Sequence, residues 1–162
     1  MSASPETRLL TLWRRLSGWP MGPRIYSWLL GWLVPYSGTV RPIVRVLQPG
    51  KAVVEIKDRR RVRNHLRSVH AIALCNLGEL ASGLSMTAAL PAAVRGIVTG
   101  IDIQYMKKAR GTLTATSHAR PPDQVTGPMD HPVQAEITDD SGEVVSRVTV
   151  HWRLAPRPEA GR

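Results

Sequence analysis
From Ala71 to Val94 run 24 residues with a single charge, Glu79, and Val- and Ile-rich segments stand on both sides of this run in the chain. A helix that is apolar all round has to be buried on every face, and a flat sheet covers only one of them. A chain of this kind therefore needs a sheet that curls around its helix. The lone carboxylate inside the run costs several kcal/mol unless a partner meets it or its pKa rises. Either Glu79 snorkels toward solvent or pairs with an arginine of the folded chain, or the carboxylate is kept for chemistry.

At 162 residues the chain is long enough for one domain with a real core. One cysteine, Cys75, excludes an intrachain disulfide, no Cys/His set with zinc spacing is present, and a reducing, cytoplasmic location is expected. The N-terminus lacks the order of a signal peptide, so no export is expected. A net charge of +10 invites phosphate. The basic residues, however, come in short groups (Arg14-Arg15, Arg59 to Arg61, Lys107-Lys108) with no nucleic-acid-binding motif, and a nucleic-acid partner is not expected. Tyr26 to Tyr36 is too short to cross a bilayer, and the long run carries Asn76, Glu79, Ser82, Ser85 and Thr87, which suit a buried helix better than a spanning one.

Residues 5–16 place Leu9, Leu10, Leu12, Trp13 and Leu16 near helical spacing, and a second apolar piece runs from Ile25 to Val34. These basic, Trp-rich pieces suit a lid on a neighbouring sheet, with peripheral contact to a membrane surface as the alternative. Val40 to Leu47 and Ala52 to Lys57 flank Gln48-Pro49-Gly50 and read as a hairpin. Ser68 is a candidate cap for the long helix, which is expected to end near Leu90-Pro91. Ile97 to Met106 alternates as a strand, Lys107 to Gly111 suggests a bulge or bend, and Thr112 to Arg120 resumes the pattern. After a loop from Pro121 to Pro132, Val133 to Thr138 and Val144 to Leu154 form a hairpin across Asp139 to Gly142. The predicted order is helix, two strands, a long buried helix and four strand segments in antiparallel succession. The predicted organisation is a helical extension (1–36), one α+β domain (37–155) and a flexible tail (156–162).

Asn64, then His70, then Glu79 nine positions later resembles the pattern of the phenylacetate-pathway (PaaI-like) acyl-CoA thioesterases of the hotdog-fold superfamily. Ile101 to Gly111, with Leu113 to Thr116 after it, is similar to the next strand of that family and its bend. The resemblance covers roughly residues 38–154. It implies a hotdog fold, an antiparallel sheet wrapped around one central helix, and hydrolysis of an acyl thioester without a cofactor. It also implies a homodimer, or a dimer of dimers, in which Glu79 of one subunit faces the helix start of the other. Ala71-Ile72 stands where the family has a Gly-Gly pair, and the Ala71 N-H remains a donor because an amide does not require glycine.

On that reading Glu79 is the base or nucleophile, the Ala71 amide and that of Ile72 are candidate oxyanion donors, and Asn64 orients substrate or water. His70 is either a site residue or a satisfied histidine at the helix start. Asn76 is a partner of the site or a buried amide satisfied locally. Arg59, Arg60 and Arg61 meet the phosphates of coenzyme A or form a solvated strand end. Cys75 and Met86 read as packing residues, and Ser82 and Ser85 lack the neighbours of a nucleophile. A non-catalytic acyl-thioester binder on the same fold is the alternative function.

Overall fold
The computed structural model describes residues 5–158, so the expected tail falls outside the described residues from position 159 onward. The elements in order are α1 (Pro5–Leu16), α2 (Gly22–Leu33), α3 (Pro35–Gly38), β1 (Ile43–Gln48), β2 (Lys51–Lys57), α4 (Ala71–Thr87), β3 (Val94–Tyr105), β4 (Thr112–His118), β5 (Met129–Thr138) and β6 (Val144–Pro156). The six strands form one antiparallel sheet in the order β1-β2-β4-β5-β6-β3. The sheet wraps α4, which touches all six strands.

The wrapping follows from the composition of α4. Leu74, Leu77, Leu80, Ala81, Leu84 and Met86 are buried against Val54, Ile56, Leu113, Ile137 and Val148. Each large aliphatic side chain so buried contributes about 1.5–3 kcal/mol. Gly78 lets β6 approach, since a Cβ at that position would lie 2.7 Å from Cβ of Val148. The polar residues of the helix find partners inside: Trp152 Nε1 donates to Ser82 Oγ at 3.0 Å, and Ser85 Oγ donates to Ser117 Oγ at 3.0 Å.

Four local expectations are corrected. The helix is capped by His70, whose Nδ1 accepts from the Ile72 N-H at 3.1 Å, while Ser68 Oγ instead donates to the Ala109 carbonyl at 2.9 Å. It ends at Thr87, whose hydroxyl turns back on the Gly83 carbonyl at 2.7 Å, ahead of Pro91. The strands after it are not in succession: β3 crosses to the far edge and pairs with β6, and β4 pairs with β2. The expected loop from Pro121 to Pro132 is shorter, because β5 begins at Met129 and takes in Pro132, which is tolerated where only β6 flanks it, β4 pairing no further than Ala135 to Thr138.

The helices α1 and α2 close the other end of the sheet as a lid. Trp13 and Tyr26 are buried edge to face at 5.1 Å, and Ser27 Oγ accepts the Val44 N-H of β1 at 2.8 Å. No helix among the described residues is long and apolar enough to cross a membrane.

Candidate active site
Two cavities open along the N-terminal half of α4. The first lies at its N-terminus and is lined by Asn64, Ala71, Leu74, Tyr105 and the Met106 to Ala109 turn, with a volume of about 250 Å³. The second, about 310 Å³, lies midway along the helix and is lined by Tyr36, Ile72, Cys75, Asn76, Glu79, Val98 and Ile101. Val98 and Ile101 share this wall despite their odd separation because β3 carries a bulge between Val98 and Gly100.

At the helix start, the backbone supplies the chemistry. The first amides of a helix lack intrahelical acceptors and stand at the positive end of its dipole. His70 takes up the Ile72 amide, whereas the Ala71 amide meets no acceptor among the described residues. Of the two donors expected here, Ala71 is the open one. The Tyr105 hydroxyl donates to the Ala71 carbonyl at 3.2 Å and holds this residue against the end of β3. Asn64 shapes the floor of the loop: its Oδ1 accepts from Leu66 N at 2.9 Å and Ser68 N at 3.2 Å, which stabilises a turn containing Arg67 at a φ of 54°.

Glu79 is half-buried, and its carboxylate has no hydrogen-bond or ion-pair partner among the described residues. The arginine partner that the sequence left open is not there. Burial pushes the Glu79 carboxyl above the ordinary glutamate range, with no neighbouring charge to offset it. The Cys75 thiol beside it is pushed up by burial and then by the Glu79 charge, so it stays protonated and inert as a nucleophile. Asn76 Nδ2 donates to the Tyr36 carbonyl at 3.3 Å and fastens α3 to this groove.

The arginines are dispersed. Arg59 donates to the Val40 carbonyl at 2.6 Å, and burial together with Arg41 and Arg61 lowers its pKa. Arg61 lines a third cavity with His70, Ile72 and Asn76, and neither Arg59 nor Arg60 lines any of the three. No group of three or more His, Cys, Asp or Glu able to hold a metal occurs among the described residues. Tyr36 and Tyr105 are site-lining residues that sequence reasoning missed. Their contacts span 40 and 34 positions, and no local spacing signals them.

A six-stranded antiparallel sheet curled about one long helix, with a cavity at the helix start and a carboxylate midway along it, defines a hotdog-fold protein. More particularly, the chain belongs to the family described as a domain of unknown function (DUF4442), whose model matches residues 22–154. It is 32% identical to the crystal structure of a structural-genomics target, with a TM-score of 0.80 over 93% of this chain and 99% of that one. A Pseudomonas aeruginosa protein of unknown function, described as a probable thioesterase, is 21% identical with a TM-score of 0.69, over 83% of this chain and 94% of its own. A mutant of the phenylacetic acid degradation protein PaaI from Thermus thermophilus is 17% identical with a TM-score of 0.62, over 74% and 97%. No curated protein matches the chain in sequence.

Proposed function
We propose that this protein is an acyl-CoA hydrolase whose site is completed between two copies of the chain. The observation that carries the proposal is the unpartnered Glu79 carboxylate in an apolar groove, on the same helix as an open Ala71 amide. The eight-residue separation of Ala71 and Glu79 corresponds to about 12 Å along a helix, too far for both to act on one carbonyl. The two groups serve one substrate only if each comes from a different subunit.

The edge strand β3 supplies the means of pairing. It ends the sheet with a free edge, exposes Ile97, Ile101 and Tyr105, and forms the wall of the Glu79 groove. An exposed apolar edge of this kind is a template for a second strand, and a two-fold partner there is self-complementary. Pairing brings the partner's helix start toward the groove of the first subunit.

In the reaction the thioester carbonyl oxygen accepts the Ala71 N-H, which stabilises negative charge as it develops. Glu79 of the other subunit takes a proton from water, whose oxygen attacks the carbonyl carbon. The C–S bond then breaks, and the departing thiolate takes up the proton, leaving carboxylic acid and free thiol. The raised proton affinity of Glu79 suits both halves of that transfer. Likeness to solved structures named as thioesterases supports the same class of reaction.

The test is release of free thiol from a panel of short, long and aromatic acyl-CoAs by the purified protein. Turnover of at least one member is expected, and Glu79→Gln should lower kcat by about 10²-fold or more while acyl-CoA binding persists. Thiol release by the variant at the parent rate would remove Glu79 from the chemistry.

A further inference from the structure
The lid helix α2 presents two apolar faces, and the fold uses one. Gly22, Tyr26, Ser27 and Leu30 face the protein and are buried. Met21, Ile25, Trp28 and Trp32, spaced as one helical ridge, face outward, with Trp28 and Trp32 70% and 78% exposed and Trp19, Leu33 and Val34 exposed close by in the chain. Arg24 and Arg41 line a cavity of about 800 Å³ with these two tryptophans. Between Glu6 and Glu55 the sequence holds seven basic residues and no acidic one.

We propose that this face docks the protein on an anionic lipid bilayer, with Trp28 and Trp32 in the headgroup boundary and Arg24 and Arg41 against lipid phosphate. Indole rings prefer that boundary, where their apolar body and polar N-H are both satisfied. An apolar ridge beside exclusively positive charge has the composition of an interfacial helix. A second copy of the chain is the poorer occupant, because it would set like charges against each other across the face. The α2 helix also packs on β1, at the opposite end of the strand order from β3. Tyr36, three residues after α2, is one wall of the Glu79 groove, so docking would bring that wall near the bilayer, where long acyl thioesters partition. This last step rests on the hydrolase reading; the docking itself does not.

The experiment is co-sedimentation of the full chain with vesicles of phosphatidylcholine alone and of phosphatidylcholine mixed with phosphatidylglycerol. The protein should follow the anionic vesicles, shift its tryptophan emission to the blue, and release as salt rises. Trp28→Ser/Trp32→Ser and, separately, Arg24→Glu/Arg41→Glu should each lower partitioning by about tenfold or more. Both pairs lie at the surface, and unchanged circular dichroism verifies that each variant folds. Equal binding to both vesicle types, no binding to either, or anionic binding undiminished in both variants overturns the proposal, as does a concentration-dependent self-association that the tryptophan variant abolishes in its place. Hydrolysis of a soluble short-chain acyl-CoA without vesicles should be the same in parent and tryptophan variant, so failure of docking and failure of the hydrolase reading are read separately.

Discussion

A carboxylate held in an apolar groove affects stability and rate in opposite directions. The Glu79 pKa is raised by burial in the folded protein relative to the unfolded chain, so the native state binds the proton more tightly and stability falls as pH climbs from the ordinary glutamate range through the raised value. Above that window the full cost of the buried charge is present, and below it the cost vanishes. Glu79→Gln should therefore melt at a higher temperature than the parent at neutral pH, with the two curves converging near a pH of about 4. Over the same window the parent's kcat/KM should rise with pH, following the deprotonated carboxylate. Thermal melts and a pH-rate profile check both; a variant that melts lower at neutral pH would show Glu79 to be paired. The Ala71 donor can be removed without removing its side chain from the fold. Ala71 is the first helical residue, where proline is tolerated, and His70 before it is extended, at φ −65° and ψ 142°, as the residue preceding a proline must be. Ala71→Pro should keep the helix by circular dichroism and lower kcat by about 10²–10³-fold, while Ala71→Gly, which keeps the amide, should not.

At the scale of the element, α4 is shaped by contact more than by helix propensity. Gly78→Ala improves intrinsic propensity by about 1 kcal/mol, yet its new methyl group meets Val148 of β6. The overpacking should win, with a net loss of about 1–3 kcal/mol in chemical denaturation. A gain in stability would mean that β6 yields at this contact. The helix was legible in the sequence because its burial leaves an apolar run without charge, and the hairpin at Gly50 because that residue needs the positive φ of 76° it adopts. The cap was not legible, since Ser68 and His70 are both competent and a tertiary contact, the Ala109 carbonyl, takes the serine. Nor was the place of β3: pairing of residues 94–105 with 144–156 is set by how the sheet closes, which no local period encodes. For the site, Glu79 announces itself as the one charge in a greasy stretch. The open amide of Ala71 and the walls made by Tyr36 and Tyr105 exist only once the chain is folded.

For the whole molecule, the proposed function makes the two cavities of one protomer halves of two sites, each to be finished by a partner across β3. That arrangement makes a complementation experiment decisive. The Glu79→Gln and Ala71→Pro proteins are each expected to be inactive in acyl-CoA hydrolysis. In a mixed dimer one site receives both defects and the other receives neither, because the intact Ala71 amide of one chain faces the intact Glu79 of the other. Co-expression with free exchange of subunits should therefore restore about a quarter of the parental activity, half the dimers being mixed and half their sites intact. Activity that stays at the level of the separate variants in a verified mixed dimer would contradict a site shared between subunits.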